Sequence, residues 1–516
     1  MKKLFALLMA VAMILSMAAC GKTDTPAPSN PGASNTPGTP QATEWKKNVV
    51  IGTDSANLTM DVQEITNSVD FSSHKLCHEG LFKYNDTTKA YDNWLCESYT
   101  MDGPVWTLKL RQGVKWHDGN EFTADDVVYT LITRGQVSSQ TASFCKGLTA
   151  KAIDKYTVEV NTGTVNMDFI ARMAHTTYSM ISKAACEADP DHGFEVGTGP
   201  FVFEELFENS FVKFSRNDNY WGEKPTAETI EFRYYAEPSA RLIALQNGEI
   251  DVCLAPASTE LEYVREDKNL ELIEIGGAKS VYISFNTEKE PYCHQEFRQA
   301  VAYAIDDQSV IDIVVDGLGT ISNSTYGPNS AVNCDDQMKG YPYDAAKAKE
   351  LIDKNGWAGT TIRILTSEKA ADSKTAVTVQ SMLTAVGLDV QIDQRGAAEV
   401  TAARGVGEHE MMIGQFGSSD YPDGVAINCS TAGSYNFARF NEPQLDEKLA
   451  KALTVEDWDT RKQMYTEVQQ YVFDEMCYYY PIFRENANYA VAKGVTGFTP
   501  KSNWIIDFSY IQVPAK

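Results

Sequence analysis

Two hydrophobic periods alternate along most of this chain, and that alternation limits its fold more than any other feature. Trp106, Leu108 and Leu110 alternate with Val105, Thr107 and Lys109, the pattern of a strand with one buried face. Ile230, Phe232 and Tyr234 repeat it, and so do Val281, Ile283 and Phe285. Elsewhere the spacing lengthens to that of a helix: Leu445, Leu449 and Leu453 recur every fourth residue, as do Met464, Val468 and Val472. Helix ends are marked as well. Thr123 ahead of Asp125 and Asp126 is an N-cap with carboxylates at the positive helix end. Asp344 caps a helix over 345–355, with Gly356 where a left-handed closing residue belongs. No fixed-period repeat is present. Strands and helices interleaved in this way imply an α/β or mixed α+β protein with mixed sheets.

The N-terminal stretch obeys neither period. Lys2 and Lys3 precede an apolar run over 4–14 that is short for a bilayer span. Met17, Ala18, Ala19 and Cys20, followed by Gly21, resemble a bacterial lipobox, with Met17 where Leu is usual. Residues 1–19 are therefore expected to be a lipoprotein signal peptide, and Cys20 the lipidated new N-terminus. Burial contributes about 0.8 kcal/mol per CH₂, so two acyl chains anchor firmly where one would not. Up to Thr43 the chain then carries Pro, Gly, Ser, Thr, Asn and Ala with no large apolar residue, and 20–44 reads as a disordered tether. The expected location is the outer face of the cytoplasmic membrane, with the lipid anchor as the membrane contact.

The 516 residues, 43% hydrophobic and 22% charged, suffice for two or three domains with a large core. A formal charge of -25 opposes phosphate binding and argues against a nucleic-acid partner. Beyond Cys20, nine cysteines remain, none in C-x-x-C spacing, and they read as small buried hydrophobes. Enzyme signals are weak. Ser72 and Lys75 fit S-x-x-K, yet no K-T-G follows; His74 and His78 lie four apart beside Glu79 but do not form H-E-x-x-H. G-x-S-x-G and P-loop patterns are absent from the sequence. No enzymatic activity, metal or cofactor is expected.

Five blocks then occur in order. They are WTLKLRQGVKWHDGNEFTADDVVY over 106–129; GTGPF over 197–201 with RNDNYWG over 216–222; LQNGEID over 245–251; SFNT over 284–287 with FRQAVAYAID over 297–306; and YDAAKAKEL over 343–351. Together they resemble the family-5 solute-binding proteins, the dipeptide- and oligopeptide-binding lipoproteins of ABC importers. The resemblance implies two lobes joined by two crossover segments, with an extra subdomain inserted in the first lobe. It maps the first lobe to 45–76, 198–282 and 485–516, the insert to 77–197 and the second lobe to 283–484. The implied partners are a small peptide, an ABC permease and its ATPase, with the protein itself a monomer. The lobes would close over the ligand and the permease would recognise the closed form.

The same resemblance supplies candidate contacts. In the loop GSSDYPDG over 417–424, Asp420 falls where relatives hold the ligand ammonium, and a carboxylate accepts strong charge-assisted hydrogen bonds. Tyr421 and Asp423 share that loop, and Asp423 suits a turn role. Tyr282, on a crossover strand, either lines the cleft or packs in the core. Arg404 is a candidate cation for the ligand carboxylate. Relatives of the same fold bind oligosaccharides, opines or nickel chelates, which stand as the alternative ligands.

Overall fold

The computed structural model describes residues 44–416 and 421–515. The expected signal peptide, Cys20 and the tether up to Thr43 lie outside them, as does Asp420. No helix among the described residues is long and apolar enough to cross a membrane.

An eleven-stranded sheet runs through the molecule. Two long strands at its centre, Leu270–Phe285 and Tyr479–Ala492, pair antiparallel and carry it from one half of the protein into the other. On one side follow Val252–Leu254, Asn48–Thr53, Thr229–Tyr234, Phe211–Arg216 and Phe201–Phe207. On the other lie Met411–Phe416, Thr361–Ser367 and Asp389–Arg395. The long strands pair as Leu270 to Gly276 with Asn486 to Ala492, slip, and resume at Ser280 with Arg484. Gly277 sits in the slip. A Cβ there would lie 2.0 Å from the Glu485 carbonyl oxygen, so the strands cross closely only because no side chain intervenes.

Each half has its own core. Val49, Ile51, Phe214, Ile230, Phe232, Val252 and Tyr489 pack together on one side. Ile283, Phe285, Phe297, Ile305, Ile364, Val379 and Ile413 do so on the other. A third core, around Trp106, Leu108, Val158 and Phe169, lies under a separate four-stranded sheet. In that sheet Val105–Leu110 pairs with Cys96–Asp102 and with Thr157–Asn161, so its alternating apolar face is the buried one.

The local signals carry through. Thr123 begins the helix Ala124–Val128, and the Asp126 carboxylate reaches back to accept from the Thr123 N–H at 2.8 Å. Asp344 accepts from the Lys347 N–H at the start of Ala345–Lys354, and Gly356 has φ +75°. All nine described cysteines are unpaired; eight are buried, and Cys293 is exposed, against the expectation of burial throughout.

Candidate functional site

A cleft opens between the two halves where the long strands slip. Its larger chamber, about 600 Å³, is floored by Gly277, Lys279 and Val281 from one strand and Phe483, Glu485 and Asn486 from the other. Ser68, Phe71 and Trp504 wall it on one side, and Val315, Ala371 and Gln415 on the other. A second chamber of about 450 Å³ shares Val315, Ala371, Glu485, Asn486 and Trp504, and adds residues 255–258 and Asn488. These sizes suit a small organic solute.

Asn486 and Asn488 are two apart on one strand, so both side chains take the same face. Both Oδ1 atoms are buried without a hydrogen-bond partner, and Asn488 is only 7% exposed. A buried acceptor without a donor is costly and rare, which makes these two carbonyl oxygens the clearest request for a ligand N–H in the cleft. Lys279 and Lys374 line the two chambers and form no ion pair among the described residues.

The helix Ser68–Cys77 brings its N-terminus to the larger chamber. Its first turn is fixed by Asp70, which accepts from the Leu58 N–H at 2.9 Å and the Asn57 amide at 3.0 Å. Burial pushes that carboxyl up to about 6, against the pull of those hydrogen bonds. Ser72 is a tie and not a nucleophile: its Oγ lies 3.0 Å from the Trp504 carbonyl and accepts from the Ile506 N–H at 3.0 Å, holding the segment that carries Trp504 over the cleft.

His74 and His78 stack with ring centroids 5.3 Å apart, each bonded through one nitrogen to a backbone carbonyl, of Asp70 and Phe194 respectively. Burial drives their pKa values down to about 4 and about 3. Glu79 turns away from them. It accepts from Trp94 Nε1 (2.7 Å), Tyr220 Oη (2.7 Å), Thr198 Oγ1 (2.8 Å) and Trp221 Nε1 (3.0 Å). Burial raises its pKa while those four donors oppose the rise. The triplet seen in the sequence is thus split between two structural networks.

A smaller annexe, about 160 Å³, adjoins the cleft through Ser502, Asn503 and Ile505. Lys83 pairs with Asp507 at 3.0 Å, and Lys501 pairs with Asp86. Burial alone would raise the Asp507 carboxyl, but the Lys83 ammonium and the hydrogen bonds from Ser509 outweigh it and hold the group below the usual carboxylate range.

The candidates from the sequence fall in different places. Tyr421 reaches the 77–197 segment: its ring lies 5.0 Å from that of His175 and 6.4 Å from that of Tyr178, with the Arg172 guanidinium 4.5 Å from its centroid. The backbone of Asp423 belongs to the short turn Pro422–Gly424. Arg404 is half-buried on the helix Ala397–Val406, its guanidinium 4.7 Å from the Phe437 ring centroid and 5.9 Å from that of Tyr435. It does not line the chambers described above.

Of its two expected places, Tyr282 takes the core. It is wholly buried and stacked on Phe416 at 4.7 Å, because strand alternation turns Lys279 and Val281 toward the cleft and Tyr282 to the opposite face. Of the floor residues, Asn486 and Asn488 escaped the sequence reading. Their signal was present as two amides two residues apart, just beyond Arg484 and Glu485, in the strand Tyr479–Ala492.

Two lobes sharing a crossed pair of strands, with a solute-sized cleft at the crossing, define a two-lobed solute-binding protein. The chain belongs to the bacterial extracellular solute-binding proteins, family 5, whose pattern it matches over residues 90–438. It is 28% identical over 477 residues to the glutathione-binding protein GsiB of Escherichia coli O6:K15:H31, covering 88% of this chain and 92% of the relative. Its fold is similar to that of HbpA2 from Haemophilus parasuis, with TM-score 0.84, 21% identity, and coverage of 91% of this chain and 100% of that one. The periplasmic binding protein DppA from Helicobacter pylori, solved in complex with the peptide STSA, shares the fold at TM-score 0.69 and 22% identity, over 91% and 99% of the two chains.

Proposed function

We propose that this protein is the substrate-binding component of an ABC importer, capturing peptides between two closing lobes and delivering them to the membrane permease. The observation that carries the reading is the pair of unpartnered acceptors, Asn486 and Asn488, on the floor of a cleft large enough for a short peptide. Peptides are rich in N–H donors and end in opposite charges. Family membership and the glutathione- and peptide-binding relatives point the same way. In this reading the first lobe comprises 45–76, 198–282 and 485–516, the insert 77–197 and the second lobe 283–484. Asp420 receives the ligand ammonium, and Lys279 or Lys374 the carboxylate in place of Arg404. Cys20 carries the lipid anchor, and the protein acts as a monomer at the outer face of the cytoplasmic membrane.

The test is a ligand panel read by isothermal titration: the peptide Ser-Thr-Ser-Ala, several dipeptides, glutathione, agropinic acid and Fe(III)-EDTA. Peptide or glutathione binding at micromolar affinity or tighter is expected. Asp420→Ala should weaken it by about 13- to 150-fold, the value of a hydrogen bond to a charged group. Binding of the opine or the chelate alone would sink the peptide reading.

A further inference from the structure

Away from the cleft, the residues Glu290, Cys293 and His294 bring a carboxylate, a thiol and an imidazole together, with their ligand atoms all within 4.8 Å of one another. We propose that this triad is a binding site for a borderline divalent cation, zinc being the fitting probe. Three observations support it.

The first is the donor set. Thiol, imidazole and carboxylate are the protein ligands of zinc, at about 2.3 Å from sulfur and about 2.0–2.2 Å from nitrogen and oxygen. Tetrahedral placement at those lengths separates ligand atoms by roughly 3.5 Å. His294 Nε2 and Glu290 Oε2 already stand 2.9 Å apart. Side-chain rotation of exposed groups closes the remaining gap to sulfur. Magnesium and calcium prefer all-oxygen shells and do not suit this set.

The second is preorganisation. Backbone bonds from Cys293 to Lys289 (2.9 Å) and from His294 to Pro291 (3.1 Å) fold 289–294 into a tight turn, placing positions 290, 293 and 294 on one side. Tyr292, between them, is wholly buried and meets Phe297 edge-on at 5.3 Å. The buried Arg298 donates to the carbonyls of Tyr292 (2.7 Å) and Cys293 (3.0 Å). The turn is therefore clamped from inside, while its three ligands stay outside.

The third is that Cys293 is the exposed member of nine described cysteines. A thiol placed for packing would be buried like the other eight. Binding replaces the thiol proton: Cys-SH and Zn²⁺ give the zinc thiolate and one H⁺. Three protein ligands leave a fourth position open to water or to a group from another molecule.

Zn²⁺ titrated into the purified protein against a chromogenic chelator tests the site, with native-state alkylation of Cys293 as a second readout. One equivalent should bind with release of about one proton. Stoichiometric zinc should slow Cys293 alkylation at least ~10-fold, and Cys293→Ser and His294→Ala should each weaken binding at least ~10-fold, as loss of supporting groups alone commonly does. These residues are exposed, so an unchanged thermal melt will show that the variants fold. Zinc affinity unaltered by Cys293→Ser, or alkylation equally fast with and without zinc, overturns the proposal.

Discussion

Replacing Asn488 with Leu separates a ligand acceptor from a structural amide. The side chains share heavy-atom count and branching at Cγ, and Asn488 Oδ1 is buried with no hydrogen-bond partner. If a ligand N–H donates to this oxygen, loss of that bond costs about 0.5–1.5 kcal/mol for a neutral donor, or about 1.5–3 kcal/mol for an ammonium. Those ranges translate to roughly 2- to 13-fold and roughly 13- to 150-fold in Kd. The ligand-free protein should respond in the opposite direction. An orphaned buried polar group costs about 1–3 kcal/mol, so its removal should raise the urea midpoint. Asn57 is the control. It is equally buried, but its amide donates to Asp70 Oδ1 at 3.0 Å and Ser73 Oγ at 2.6 Å, so Asn57→Leu should lose stability. Isothermal titration with the tightest peptide of the panel and urea unfolding of the ligand-free protein supply both readings. A Kd within about twofold of wild type, or a fall in ligand-free stability like that of Asn57→Leu, would refute the assignment of Asn488 as a ligand acceptor.

Glu79→Ala strands the donors of Trp94, Tyr220, Trp221 and Thr198; unfolding in urea should show a loss of at least ~3 kcal/mol. His74 has a folded-state pKa near 4 against 6.5 unfolded, so the unfolded chain takes up its proton first and stability falls as pH drops through that window, by about 1.4 kcal/mol per pH unit. His74→Phe removes that dependence, and the stability gap between variant and wild type should narrow from pH 6.5 toward 4, then level off; a constant gap would contradict the buried neutral imidazole. Tyr421→Ala removes the contact with His175 and Arg172, worth about 1 kcal/mol, so unfolding in urea should show a stability loss of about that size; an unchanged midpoint would contradict a stabilising contact.

How much of this was readable in advance depends on how local each cause is. The strand around Trp106 and the helix after Asp344 were legible because period and cap act within a few residues. Tyr282 was not, because its role turns on which strand face meets the cleft. That parity is set by pairing with Met411–Phe416 and Tyr479–Ala492, far along the chain. The hydroxyl of Ser72 looked like half of a nucleophile motif, and only the return of the chain at Trp504 and Ile506 shows what it holds. Cys293 differs from the other cysteines in burial alone, which follows from Tyr292 and Arg298 anchoring the turn beside it.

The crossing of the long strands links fold to function more tightly than any single contact residue. A regular ladder would pass its hydrogen bonds unbroken from one half to the other and leave little room for relative motion. Here the ladder slips between Gly276 and Ser280, and Gly277 lies against the Glu485 carbonyl. The slip leaves a few backbone groups out of the ladder where the sheet passes from one half to the other. The same residues, with Asn486 beyond them, floor the cleft. Any motion that opens the lobes must therefore change the surroundings of the orphaned amide oxygens. A ligand that satisfies those oxygens only when the lobes are together would favour the closed arrangement by that difference in free energy, without needing a separate coupling device.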